Sequence, residues 1–345
     1  MKSYDEGNFL LSDRLSNYLP GLRGTDKKDI IIKDMLYHQS GLPATINFFE
    51  MAIDKDSYRG SLYSGRKDNN HPLQYDARTY VNTNFRFDPD MISKNKKVGF
   101  DIEAGRDFYI HNSFADSITA GIVRSKMGTK DKYLYSCINF ILLKMMVEQQ
   151  LNVRMDRFLD EYFYQRLGAT TMTYNPLRKM DAAVITPSEN DQFVRRQVLR
   201  GYVHDEAAAF QGGASGNAGL FASATDLAKV LQLYLNEGAY GGERYLSTKT
   251  CRLFTTSKSP VSRRGLGFDK PDALNTNLSP CGELTPASVY GHTGYTGTCF
   301  WIDPDNNLFF IFLSNRTFPS RTNTRLFTLN IRTRIQDAIY ESMTD

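Results

Sequence analysis

The sequence predicts an α/β (α+β) fold, an antiparallel sheet flanked by helices and joined to a mainly helical region. Three observations carry this expectation. Apolar residues recur at helical spacing in two long stretches and in a terminal one. The segments GTCFWID and NLFFIFLSN flank the turn formers Pro304-Asp305-Asn306-Asn307 and read as a hairpin. Helices come first and strands last, unlike a repeating βαβ order.

Taken in order, residues 29–37 (DIIIKDMLY) are apolar and break into a loop at Gly41 and Pro43. Residues 45–132 are rich in Asn, Asp, Lys and Tyr and read as an irregular helical insertion within one domain spanning 1–345. Residues 136–151 place Ile138, Ile141, Leu142, Met145 and Met146 at helical spacing, with Ser136 positioned to cap the first turn. Ser223 with Asp226 resembles a capping box; Leu227, Val230, Leu231, Tyr234 and Leu235 form one face, and Gly238 ends the helix. The stretch LNIRTRIQDAIYESM reads as a terminal helix. LFFIFL (308–313) does not alternate, so both its faces should be buried.

Hydrophobic content of 41% and charged content of 23% suit a soluble globular protein, and 345 residues suffice for a sizeable core. A net charge of +4 gives no reason to expect a nucleic-acid partner. The short basic clusters Lys94/Lys96/Lys97 and Arg263/Arg264 read as solvated loops. Cys137, Cys251, Cys281 and Cys299 form no CxxC pair, so they read as free thiols rather than a metal or redox motif. No cofactor and no metal is expected. His204-Asp205-Glu206 lacks a spaced partner and reads as a hydrogen-bonded loop, and His71 and His111 read as surface residues. The start, MKSYDEGNFLL, is polar at once and shows no export-signal pattern. The longest apolar run is 308–313, far short of the ~20 residues of a membrane span. Oligomeric state is left open.

Three motifs then fall in order: LYHQSGLP (36–43), YLYSCINFILL (133–143) and GHTGYTG (291–297). With SDRLSNYLPGL (12–22) and GNAGLFASATDLAKVLQLYLNEG (216–238), they resemble the serine β-lactamase and penicillin-binding-protein superfamily. The branch is that of class C-like β-lactamases, esterases and D-amino-acid-releasing peptidases. The resemblance covers nearly the whole chain. It implies a β-lactamase/transpeptidase-like fold and acyl transfer or hydrolysis of an amide or ester: a β-lactam, a peptidoglycan peptide or a small ester. It also implies a bacterial periplasm or cell envelope as the place of work.

That family combines a Ser-x-x-Lys nucleophile, a Tyr-x-Asn phenol and a Lys/His-Thr-Gly strand. A serine hydroxyl is a poor nucleophile until a neighbouring base takes its proton. By the resemblance, Tyr135 is the phenol, base or proton shuttle. Cys137 stands where the family has Asn, and a thiol serves a substrate amide poorly. His292 and Thr293 would anchor a substrate carboxylate, and Gly294 would let the substrate backbone lie close. The Tyr295 N–H would be an oxyanion donor, worth roughly 3–4 kcal/mol. His38 would shape the loop below the site. A literal Ser-x-x-Lys, Ser93-Lys94-Asn95-Lys96, lies in a lysine-rich loop with no apolar helix after it and reads as loop. So does Ser215-Gly216-Asn217. The expectation is therefore an N-terminally incomplete hydrolase, its serine supplied upstream and its LFFIFL strand left as an apolar edge. The alternative is a catalytically inactive relative binding cell-wall fragments or a protein partner in the same cleft. Either way, the rings of Tyr135 and His292 should meet.

Overall fold

The computed structural model describes residues 1–272, 274–275 and 278–343. The helices used below are α1 (Ile32–Leu36), α2 (Phe114–Arg124), α3 (Cys137–Leu151), α4 (Glu206–Ala209), α5 (Ala224–Leu235), α6 (Arg325–Thr328) and α7 (Ile331–Glu341); Lys2–Asp5, Met155–Leu159 and Thr248–Thr256 are helical as well. The longer strands are β1 (Ile102–Gly105), β2 (Phe108–Ile110), β3 (Pro187–Asp191), β4 (Gln197–Arg200), β5 (Tyr290–Thr293), β6 (Cys299–Asp303) and β7 (Leu308–Phe312). The mixture of helices with antiparallel sheets is the predicted class.

The sheet that positions the site runs β5-β6-β7, antiparallel throughout, with His292 opposite Phe300 and Phe300 opposite Ile311. Helix α5 packs across β6 and β7. The non-alternating pattern of β7 has a direct cause. Phe309 and Ile311 pack on the main core, whereas Phe310 and Phe312 pack on a second cluster around Cys281, Val289, Cys299 and Trp301. Both faces are used, but every residue of β7 is half-buried rather than buried, and the strand is the sheet edge among the described residues.

Helix α3 buries Ile138, Ile141, Leu142 and Met146, as the spacing predicts. Ser136 does occupy its N-cap, but its hydroxyl donates to the Pro43 carbonyl at 2.6 Å instead of capping the turn. At α5, Ser223 Oγ accepts from the Asp226 N–H, while the Asp226 carboxylate accepts from the Thr171 N–H and hydroxyl rather than completing a reciprocal box. This helix is covered on two sides: Leu231 faces the main core and Leu233 a satellite cluster with Tyr164, Leu167 and Tyr245. A single apolar stripe understates it.

Over 45–132 the helical content is confined to short 3-10 turns and α2; the rest is short strands such as β1 and β2. The polar composition concealed these hairpins, because two-residue strands leave no periodic trace. His71 is buried there, its Nδ1 2.8 Å from the Asp68 carboxylate and its Nε2 2.9 Å from the Ser61 carbonyl, which corrects the surface reading. All four cysteines are free thiols. Among the described residues no helix is long and apolar enough to cross a membrane.

Candidate active-site cleft

The start of α3 and the end of β5 meet. The ring centroids of Tyr135 and His292 are 6.2 Å apart, and Tyr135 also lies 4.4 Å from His38. His38 holds the helix start in place. It sits buried with φ +58°, and its Nδ1 accepts from the Ser136 N–H at 3.0 Å. Asn139 Nδ2 lies 3.3 Å from the same nitrogen, while Asn139 Oδ1 accepts from the Ser40 hydroxyl at 2.7 Å. Asn139 therefore spends its amide beneath the cleft and does not replace the missing Asn at 137. Burial, aided by Arg264 and His292, pushes the His38 imidazole down to about 3, so it is neutral at ordinary pH.

The element that sequence reasoning missed is Arg264. Far from lying in a solvated loop, it is 6% exposed. Its Nε donates to the Tyr133 hydroxyl at 3.2 Å, its Nη1 to His292 Nε2 at 2.9 Å, and its Nη2 pairs with Asp269 at 3.2 Å. Its guanidinium carbon lies 5.0 Å from the Tyr135 ring centroid. Arg263 clamps the same carboxylate through Nε at 2.7 Å and Nη2 at 3.2 Å. Asp269 is 1% exposed, so two cations balance one buried anion and a net positive charge remains. Neutralisation by Asp269 is what allows an Arg-Arg pair to leave solvent. The signal was available only as an acid five residues downstream, a spacing with no periodic meaning.

This hydrogen bonding settles the chemistry of His292. A guanidinium can only donate, so Nε2 accepts and the ring proton sits on Nδ1, which donates to the Thr293 carbonyl at 2.7 Å. Burial and the adjacent Arg264 hold its pKa below the usual histidine value. His292 is thus a neutral residue, and the positive charge of the cleft belongs to Arg264. Its Arg264 partner has its Nε–H and one Nη1–H hydrogen-bonded and Nη2 ion-paired with Asp269, which leaves a further N–H on each terminal nitrogen.

Tyr135 keeps its proton. Desolvation and the nearby Cys137 push its pKa up to about 12, with Arg264 opposing. Cys137 is half-buried and its thiol is raised to about 11 by burial and by Asp205, with Asn217 hydrogen-bonded to it and opposing. Asn217 arrives on the loop read above as Ser215-Gly216-Asn217. A Cβ at Gly216 would lie 2.0 Å from the Phe140 carbonyl oxygen, so only glycine lets this loop press on α3. The Asn217 amide is then fixed: Ser215 Oγ donates to its oxygen at 2.8 Å and its nitrogen donates to Asp205 at 3.2 Å. Asp205 in turn caps α4, accepting from the Ala208 N–H at 2.7 Å. The loop assignment stands, but its asparagine faces the cleft. His204 stacks on Tyr295 with centroids 5.3 Å apart, and burial lowers its pKa to about 4.

Backbone alternation along β5 sets which N–H groups face its outer edge. Gly291 exchanges both its hydrogen bonds with Asp269 on the outer edge, whereas the Gly294 N–H turns inward to the Thr298 carbonyl at 2.7 Å. The Thr293 N–H therefore shares the outer edge with Gly291, and Tyr295 follows the strand as the first central residue of a turn closed by the Gly297 N–H on the Gly294 carbonyl at 3.0 Å. Gly294 is glycine for an internal reason: a Cβ would lie 2.2 Å from Thr298 Oγ1. Gly297 makes the following turn at φ +95°. Neither Ser93, which ends a strand and donates to the Asn95 carbonyl, nor a further literal Ser-x-x-Lys at Ser64-Gly65-Arg66-Lys67 begins a helix.

The cleft thus has a phenol, a neutral imidazole, a caged guanidinium and a carboxamide around an open strand edge. The sequence model of the family described as Beta-lactamase matches residues 1–332. The chain belongs to the beta-lactamase family. A protein of Escherichia coli (strain K12) named "Putative D-alanyl-D-alanine carboxypeptidase" is 29% identical over 334 residues, covering 91% of this chain. A protein of the same name from Salmonella schwarzengrund is 27% identical over 342 residues, covering 93% of this chain. The chain spans 65% and 66% of the length of these two curated relatives. Among solved structures it is similar to EstCE1, a hydrolase with promiscuous acyltransferase activity (TM-score 0.61, 15% identity, 98% of this chain and 80% of that one). It is likewise similar to a class C beta-lactamase (TM-score 0.57, 14% identity, 97% and 76%) and to the octameric penicillin-binding protein homologue of Pyrococcus abyssi (TM-score 0.57, 16%, 92% and 59%). These likenesses confirm the fold class expected for this beta-lactamase-family chain.

Proposed function

We propose that this chain is the substrate-binding body of a serine hydrolase acting on peptides that end in a D-alanyl-D-alanine-type carboxylate, at the cell envelope. The observation that carries the reading is the meeting of Tyr135 and His292 around Arg264. A substrate carboxylate would take the two free N–H groups of Arg264, with Thr293 beside it. The scissile carbonyl oxygen would accept from the Tyr295 N–H, where negative charge develops in the transition state. Asn217, rather than Cys137, would offer an amide to the substrate backbone. Tyr135 would hand a proton between the nucleophile and the leaving nitrogen as a neutral phenol. A relative named for D-alanyl-D-alanine cleavage supports this substrate class.

Acyl transfer on this reading requires a serine from outside residues 1–345. Two observations favour the second reading, a non-catalytic binder: the phenol at about 12 is far from a working base, and Cys137 takes the Asn position. A fluorescent penicillin separates the two. Covalent labelling of the protein expressed from its whole reading frame supports the hydrolase, and saturable binding without an adduct supports the binder. Absence of both rejects this substrate class.

A further inference from the structure

Beyond the cleft, the chain from Asn306 to Gln336 contains no Asp or Glu but carries Arg316, Arg321, Arg325, Arg332 and Arg334. Arg321 is neutralised by Glu189 at 2.6 Å and Glu206 at 3.0 Å. Arg316 and Arg332 are not: no described carboxylate pairs with either. Both lie against Phe327, their guanidinium carbons 4.6 and 5.2 Å from its ring centroid. Arg316 also lies 4.7 Å from the ring of Tyr295, and its N–H holds the Thr296 carbonyl at 3.0 Å. Its Nη1 reaches the Arg321 and Asn323 carbonyls, but its Nε–H is buried with no partner. A buried guanidinium N–H left unpaired is costly and calls for an acceptor from outside the chain. Arg332 donates to the Gly297 and Thr298 carbonyls at 3.4 and 3.2 Å and stands in the first turn of α7, where unpaired backbone N–H groups add positive potential.

We infer that Arg316 and Arg332 form an anion site at the end of the cleft, taking a side-chain carboxylate on the acyl part of a peptide substrate. The inference rests on the peptide reading above. With the C-terminal carboxylate at Arg264 and the scissile carbonyl at the Tyr295 N–H, a substrate laid along β5 continues past Tyr295 into the turn that these two arginines hold. An acidic side chain there meets two cations that the protein itself leaves unbalanced.

Two peptides ending in D-Ala-D-Ala, identical but for Glu or Gln one residue before that pair, test this by calorimetry at low salt. The Glu peptide is expected to bind about ten-fold more tightly, a charge-assisted hydrogen bond converted to affinity. The ratio should fall toward one in Arg332→Gln and in Arg316→Gln. Because the readout is a ratio within each variant, general loosening of the fold does not mimic it. Equal affinities in the unaltered protein, or a ratio that survives both substitutions, overturn the inference. In parallel, the Arg316 Nε–H resonance, assigned by its loss in Arg316→Lys, is followed through titration with inorganic phosphate. A saturating shift upholds an anion site even if neither peptide binds, which would refute the peptide reading alone. No shift overturns the site. A shift with equal peptide affinities makes it a free-anion site and overturns the carboxylate assignment.

Discussion

Replacing Arg264 by Met removes the group that ties the cleft together. The substitution keeps most of the apolar stem but deletes two hydrogen bonds, to Tyr133 and His292, and the ion pair with Asp269. The two hydrogen bonds contribute about 1 kcal/mol each, and the ion pair, whose carboxylate Arg263 also holds, about 1 kcal/mol. Asp269 is not orphaned, because Arg263 still grips both its oxygens, so the large penalty of a stranded buried charge is avoided. The expected loss is about 3 kcal/mol, read as a lower urea midpoint at unchanged slope. The more decisive readout is His292. With the guanidinium gone, its Nε2 loses its donor and the cation beside it, while Asp269 still favours the charged ring. Its pKa, followed by ¹⁵N-edited NMR, should move up from below the ordinary value of 6.5. In the unaltered protein the same spectra should show a protonated Nδ1 and a bare Nε2. A proton on Nε2, or a His292 pKa unmoved by the substitution, refutes the reasoning.

Other outcomes follow from the same packing. His38 and His204 titrate at about 3 and about 4 instead of 6.5, so the unfolded chain binds more protons between those values and 6.5. Stability is full above pH 6.5 and falls as the pH drops, each histidine costing about 2 kcal/mol at about pH 5; His38→Gln should flatten that slope in urea titrations. Lys270 is buried and its amine is lowered to about 8, chiefly by desolvation, so it is charged at neutral pH at a cost. Lys270→Met should stabilise the fold at pH 7 by up to about 3 kcal/mol, with the gain shrinking as pH rises from 8 toward 10.5. Gly294→Ala should destabilise by about 2 kcal/mol or more through the 2.2 Å clash with Thr298 Oγ1, and Thr298→Ala should restore much of that loss in a double-mutant cycle.

The fold class and the two ends of the cleft were legible in the sequence because each rests on local order. α3 repeats its apolar residues every three to four positions, and β5 carries its motif in consecutive residues. Arg264 and Asn217 were illegible for the opposite reason. Each is defined by a partner distant in sequence: Arg264 by His292, and Asn217 by the α3 residue Cys137, reached only because Gly216 lets the loop lie flat. A buried arginine beside a half-buried one looks like a surface pair until the carboxylate that neutralises them is located. The hairpins within 45–132 failed differently, since strands of two residues carry no pattern to read. Which residue carries the charge of the cleft was illegible as well, because a histidine's protonation depends on what faces each nitrogen, and here a guanidinium faces one of them.

The most direct measurement is a ¹⁵N-NMR titration of the chain with an N-acyl-D-alanyl-D-alanine peptide. Saturable shifts should cluster at Arg264, His292, Thr293, Tyr295 and Asn217, with Tyr135 between them. Shifts confined to another face, or none at peptide concentrations well above the millimolar range, would contradict the account.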